Sequence, residues 1–342
     1  MSREKVAAAF AQQAINCADL GSPFMERLCA LLATRDWPDT ALTARVMSWS
    51  GDLGPSAQST PLRLCGGLHA LALKGSEIAS AYPPNEADDE TLWDHIRQAL
   101  DEQEAFLDNW IDNPPQTNEV RRAAAIIAAA NLIGARYDLP FRISELGASG
   151  GLNLMWDRFA LVAPGKRYGP PDAALILTPD WTGGTPPMSD PVVAERRGVD
   201  LNPLDPRDPH DALRLRAYLW PDQPERMART EAAIAVNTAE VDQAEAIDWL
   251  KPRLEHVPGR VHMIYHTVAW QYFPRDKQEE GRAAIEEAGR FATKESPLAW
   301  LGMEAATGVT GAQITLRLWP GDETLALGRI DFHGRWMAWE HA

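Results

Sequence analysis

The segment richest in chemistry runs from Glu145 to Asn153 and reads Glu-Leu-Gly-Ala-Ser-Gly-Gly-Leu-Asn. It continues a short β-favouring run, Phe141–Leu146, and leads into Leu-Asn-Leu-Met-Trp-Asp-Arg-Phe, so it predicts a strand, a tight turn and a helix. In a doubly wound sheet, ligands bind beyond the carboxyl ends of the strands, near such a turn. Small residues at Gly147, Ser149 and Gly151 let the backbone approach a ligand closely, and a helix N-terminus offers N–H groups to an anion. Glu145 and Asn153 are the polar side chains that flank this contact. Ser149 suits the middle position if its φ is negative or the ligand sits slightly further away. The same letters spell Gly-x-Ser-x-Gly, the turn that raises a serine nucleophile. Ser149 would then need an acid and a late histidine, such as His333 in Asp331-Phe332-His333-Gly334. It would also need an earlier oxyanion loop, and the first 139 residues offer neither strands nor such a loop.

Further polar residues fall where strands end. Asp200, in Gly198-Val199-Asp200-Leu201-Asn202-Pro203, is placed to meet ribose hydroxyls, and the bland reading is a turn aspartate. Glu245 and Asp248 are candidates for an adenine contact, against a solvated helix face. His266 closes the run Val261–Thr267 and is followed by Trp270 and Tyr272, which suits an acceptor pocket with a general base, or a buried structural histidine. Gln116, Asn118 and Glu119, with Thr117, begin the pattern that leads into the first strand. They exceed what one helix cap needs, so they are expected to line the same pocket. Nine of the 13 tryptophans follow residue 140, and several of Trp156, Trp220, Trp249 and Trp270 are expected to gather around it.

The elements that must position these residues change character near Pro140. Before it, the sequence reads as helices: Arg3–Ala18, a helix begun by Ser22-Pro23, Pro61–Lys74, Asp88–Asp112 and Thr117–Tyr137, with proline pairs at 83–84 and 114–115 as breaks. After it, strand patterns at Phe141–Leu146, Ala173–Thr178, Gly198–Leu201, Val261–Thr267, Leu298–Glu304, Ile314–Trp319 and Thr324–Phe332 alternate with amphipathic helices. That alternation predicts an α/β domain with a mostly parallel, Rossmann-like sheet. The last two strands, joined by Pro-Gly-Asp-Glu, should form an antiparallel hairpin. The expected division is a helical N-terminal cap domain over 1–115 and an α/β domain over 116–342.

Composition narrows the partners. Lys plus Arg is 33 against 48 for Asp plus Glu, a formal charge of −15 with a pI near 5.0. The first 140 residues carry 11 basic and 19 acidic side chains, so no basic half is concealed. Bulk binding to nucleic acid or to an anionic membrane is therefore not expected, and a small-molecule ligand is. The apolar run Ala123–Ala130 is too short to span a bilayer, and the N-terminal residues do not read as a secretory signal. Cys17, Cys29 and Cys65 are scattered and lack Cys-x-x-Cys spacing, so they are expected as core residues of a cytoplasmic protein with no metal site. Oligomeric state is not legible.

Glu145, Gly147, Ser149 and Gly151 fall on the acid and the three glycine positions of the acid-x-Gly-x-Gly-x-Gly turn of class I methyltransferases, with serine at the middle glycine. The sequence resembles that class in its loop, strand alternation and closing hairpin. It also resembles, over nearly the whole chain, a bacterial family known as domain of unknown function 2332. This second resemblance rests on Pro115–Val120, Glu145–Leu154 with Trp156-Asp157-Arg158, Gly198–Pro206, Tyr218–Gln223, His266–Tyr272 and His333–Trp336. The family itself implies no activity; the resemblance to class I methyltransferases implies an S-adenosylmethionine-dependent methyltransferase acting on a small or medium-sized acceptor. The glycine turn would hold the methionine and ribose end, with Asp200, Glu245 and Asp248 as above. The alternatives are a serine hydrolase using Ser149 and a binding module without turnover.

Overall fold

The computed structural model describes residues 3–54 and 57–341. Among these, the α-helices are α1 (Arg3–Asp19), α2 (Pro23–Thr34), α3 (Ala41–Ser48), α4 (Thr60–Leu73), α5 (Asp89–Glu102), α6 (Glu104–Trp110), α7 (Ala123–Tyr137), α8 (Pro209–Ala217), α9 (Pro224–Ala235), α10 (Ala246–Leu250) and α11 (Arg275–Arg290). The strands are β1 (Phe141–Leu146), β2 (Phe159–Ala163), β3 (Lys166–Tyr168), β4 (Leu175–Leu177), β5 (Asp180–Gly183), β6 (Val193–Asp200), β7 (Val241–Gln243), β8 (Val261–Thr267), β9 (Leu298–Ala305), β10 (Ala312–Trp319), β11 (Glu323–Ile330) and β12 (Trp336–Trp339). The chain divides into two compact units, Met1–Thr117 with Asp208–Ala228, and Asn118–Arg207 with Arg229–Ala342. The sequence had suggested one boundary, near 115; the helical unit also takes in α8, and the division falls within α9.

In the helical unit, apolar residues at spacings of three and four bury one stripe of each helix: Val6, Phe10, Ala14 and Cys17 on α1, and Leu64, Leu68 and Leu71 on α4. Ser22 caps α2 by accepting the Met25 N–H, with Pro23 opening the helix. Segment 208–228 is built into this core. The Tyr218 ring lies where a Cβ on Gly66 would fall, 2.4 Å from the ring, so α4 needs a glycine there. The three cysteines are free and buried.

In the second unit one nine-stranded sheet has the order β5-β12-β11-β10-β9-β8-β1-β6-β7. Strands β7, β6, β1, β8 and β9 run parallel, and β9 to β12 are joined by antiparallel pairings. The fold is thus the expected mostly parallel α/β sheet with antiparallel C-terminal strands. The chain starts in the middle at β1, moves outward through β6 and β7, then returns to the other side at β8. The edge of β1 is therefore a topological switch point. Alternation along β8 sends Val261, Met263 and Tyr265 to one face, with α7 and the small sheet β3-β2-β4. Ile264 and His266 go to the other, with α10 and α11. Helix α7 is alanine-rich and wholly buried along Ala123–Asn131, which lets it lie close to the sheet.

Two local expectations are corrected. The glycine turn does not open an α-helix: Leu152–Arg158 is a seven-residue 3₁₀ segment with a non-helical Met155, and it feeds β2 directly. Gln116–Glu119 do not begin the long helix either. They lie outside any helix or strand, a 3₁₀ turn follows at Val120–Arg122, and α7 starts at Ala123.

Candidate functional site

The carboxyl edge of β1 is built by a tightly tied turn. Gly147 and Gly151 hold φ of +72° and +67°, and a Cβ on them would come within 2.5 Å of Ala269 and 2.9 Å of Val241. Both glycines are thus demanded by protein packing as well as by backbone sign. Ser149 also has a positive φ, +52°, so the condition of a negative φ is not met. The N–H groups of Gly147 and Ala148 donate to Val199 O (2.9 and 3.0 Å), and that of Ser149 to Asp200 Oδ2 (2.9 Å). Gly151 N–H donates to Ala148 O (2.8 Å), and Leu152 N–H to Asn118 Oδ1 (3.0 Å). With those amides engaged and no α-helix behind them, the turn is not the anion cradle that the sequence suggested.

Asn118 and Glu119 therefore act first as a brace. Besides the Asn118 bond, Asn153 Nδ2 donates to Glu119 O (3.2 Å), and Glu119 Oε1 accepts the Arg121 N–H (3.2 Å). Asn237 Nδ2 donates to Gly150 O (3.0 Å), and Arg196 grips Asp157 through two bonds of 2.7 and 2.9 Å. Gln116 belongs to the helical unit.

What the turn presents is carboxylate. Asp200 ends β6 half-buried, and its two oxygens accept the Ser149 and Asn202 N–H groups, leaving lone pairs on each. Glu145, next to last in β1, is 2% exposed on the α7 face beside Tyr265, its register partner. Its Oε2 has no hydrogen-bond partner, and neither has the Oδ1 of buried Asn153. Burial pushes the Glu145 carboxyl well above its ordinary range; Asp200 adds to this and the Arg122 guanidinium opposes it. Buried polar atoms without partners are uncommon in native folds and mark places where a further group belongs.

The other predicted residues fall elsewhere. Glu245 caps α10, its Oε2 accepting the Ile247 and Asp248 N–H groups (3.0 and 2.8 Å), and it pairs with Lys277 (3.4 Å). Asp248 is an exposed partner of Lys277 and Lys251. Both follow the bland reading. Trp156 packs edge-on to Phe141 in the α7-face core, Trp249 and Trp270 belong to the opposite face, and Trp220 packs on the helical unit's core. Within the second unit, Trp156 therefore does not share a pocket with Trp249 and Trp270, and the glycine turn is not ringed by them. Tyr272 is 69% exposed. Asp331, the acid beside His333, is held by two bonds from Arg335 (2.9 Å each) and by backbone N–H groups.

His266 is buried on the α11 face, at the end of β8. Trp300 Nε1 can only donate, and it lies 3.1 Å from His266 Nε2, so Nε2 is the acceptor and Nδ1 carries the proton. That proton goes to Glu304 Oε1 at 2.6 Å. Glu304 also accepts the Ala269 and Trp270 N–H groups (3.0 and 3.1 Å). Burial acts against the Glu304 charge, but the His266 bond and these amides hold its carboxyl below the ordinary range. As arranged, His266 has no ring lone pair left for a substrate proton, which corrects its assignment as general base. The Trp300 and Glu304 contacts were not found from the sequence, because they lie 34 and 38 residues away along the chain.

No curated protein matches the chain. Among solved structures, the crystal structure of SCL7 in Oryza sativa matches 88% of this chain at 13% identity with a TM-score of 0.26, and this chain spans 64% of that one. Residues 7–339 match the family described as an uncharacterised protein conserved in bacteria, DUF2332, and the chain belongs to that family.

Proposed function

We propose that the second unit is an S-adenosylmethionine-dependent methyltransferase domain acting on a small or medium-sized acceptor. The observation that carries this reading is the chemistry of the turn at the switch point. Two carboxyl groups, Glu145 and Asp200, stand there, while the amides of Gly147, Ala148, Ser149, Gly151 and Leu152 are already engaged. A phosphate-bearing nucleotide would meet carboxylates and few free donors. A cationic nucleoside without phosphate suits the same groups. The unpartnered Glu145 Oε2 and Asn153 Oδ1 are acceptors suited to its ammonium group, and the remaining lone pairs of Asp200 suit a ribose diol. When bound, S-adenosylmethionine supplies an activated methyl group. The chain's residues then align the acceptor and exclude water, which in-line transfer needs more than acid or base chemistry.

The test is thermal shift and calorimetry of the full chain with S-adenosylmethionine, ATP and NAD, in wild type and Asp200→Ala. The expected result is binding of S-adenosylmethionine alone, weakened at least about tenfold in the variant. Preference for ATP or NAD overturns the reading, and binding without methyl transfer to any acceptor leaves the binding module. One observation favours a second reading. Ser149 sits at a strand end with φ +52°, the strain that a Gly-x-Ser-x-Gly elbow uses to present its nucleophile. Covalent labelling of Ser149 by a fluorophosphonate supports that reading, and an unlabelled serine removes it.

A further inference from the structure

On the α11 face of the second unit, over β9, β10 and β11, lies a cavity of about 330 Å³. It is at the small end of the range for ligand sites. Two of its walls are the indoles of Trp270 and Trp300, with ring centroids 5.3 Å apart and planes inclined by 59°. Both are fixed before any ligand arrives. Trp270 stacks on His266 at 5.0 Å and 24°, and the Trp300 N–H is committed to the same imidazole. Gly302 also lines the cavity. A Cβ there would lie 3.0 Å from His266 Cε1 and 3.3 Å from Thr315 Oγ1, so a side chain would press on the wall.

The polar lining has one cation without an ion-pair partner among the described residues. Glu304 is a carboxylate whose oxygens accept the His266 N–H and backbone amides, and the Arg317 fork is taken by Asp322 and Glu286. Arg282 lies over the Trp300 ring at 5.7 Å and, among the described residues, makes no ion pair, although Glu279 and Glu286 share its helix. The hydroxyl-bearing Thr315 and Thr324 complete the lining. Indole faces favour a flat ring, and a guanidinium favours the two coplanar oxygens of a carboxylate.

We propose that this cavity binds a small aromatic carboxylate, with its ring against Trp270 and Trp300 and its carboxylate on Arg282. The site is separate from the Glu145 turn: Glu145 pairs in register with Tyr265 on the α7 face, whereas His266 and Trp300 point to the α11 face. The proposal therefore does not rest on the methyltransferase reading, and its test uses neither S-adenosylmethionine nor activity.

Benzoate, benzamide and benzylamine are titrated into the full chain, followed by ligand-observed NMR and calorimetry, in wild type and Arg282→Gln. Arg282 is an exposed helix position and glutamine is a good helix former, so the variant is expected to fold as wild type does. Benzoate should bind, benzamide should bind at least about tenfold more weakly, and Arg282→Gln should bring benzoate down to the benzamide level. The proposal is overturned if benzoate shows no binding up to about 10 mM. It is also overturned if benzamide or benzylamine binds as well as benzoate, or if Arg282→Gln leaves benzoate binding unchanged.

Discussion

Replacing Glu145 by glutamine should stabilise the protein at neutral pH while weakening its ligand. Glutamine has the same shape and no charge. In the folded chain, burial keeps the Glu145 proton in place at pH values where an unfolded chain has released it, near 4.5. Below that pH both states hold the proton, and the substitution should change little. Above it, wild type should lose stability relative to the variant by about 1.4 kcal/mol for each pH unit, until the folded carboxyl itself ionises. The sign is the reverse of a salt-bridged carboxylate, because this group's folded pKa is raised. Urea unfolding at pH 4 should give nearly matching midpoints, and at pH 6 Glu145→Gln should be the more stable, with a gap that widens as pH rises. Calorimetry with S-adenosylmethionine on the same variant should show binding at least about tenfold weaker, since the cation loses its counter-charge. If Glu145→Gln is less stable than wild type at pH 6, the carboxyl is ionised and compensated in the fold, and the reasoning from burial fails. A stability gap that does not widen with pH refutes it equally.

Asn118→Ala should destabilise the second unit by about 1–2 kcal/mol in urea unfolding, because the buried Leu152 N–H loses its only side-chain acceptor, whereas Asn118→Asp keeps an oxygen there and should cost less. Gly147→Ala combines a φ of +72° with a Cβ 2.5 Å from Ala269, so a lower Tm corresponding to about 2–3 kcal/mol is expected. His262, buried beside Ser144 Oγ (3.0 Å), has its pKa pushed down to about 3 by desolvation first and by Arg142 and Arg253 next. Its contribution to stability is intact above the unfolded value near 6.5 and falls away as pH drops towards 3. Its imidazole NMR signals should stay in the neutral form from about pH 8 to pH 5, and titration near the ordinary histidine value would contradict this.

The central strands were legible because their signal is local. Phe141–Leu146 and Val261–Thr267 are observed as read, since both are buried on two faces and β-favouring throughout. β2, β3, β5, β7 and β12 were missed: each has five residues or fewer, too short for a period to emerge. The glycine turn was found by its letters, but its conformation was not. Ser149 takes a left-handed φ because the Asp200 carboxylate and Leu204 N–H hold both sides of its backbone, and these lie 51 and 55 residues away. Glu245 was read as an adenine contact or a solvated helix face, and its role as the cap of Ala246–Leu250 was not foreseen. Of the cavity beside His266, only the His266 and Trp270 end was legible in the sequence. Its lining comes from β8, the turn after it, α11, β9, β10 and β11, and only the sheet brings those residues together.

The proposed function rests on a turn whose amides are engaged and beside which the buried Glu145 Oε2 has no partner. Calorimetric titration of the wild-type full chain with S-adenosylmethionine, in two buffers of different protonation enthalpy, tests this most directly. The account predicts binding with proton release at pH 6, as the cation draws Glu145 into its ionised form. Absence of heat at millimolar ligand, or binding with no proton exchange at that pH, contradicts it.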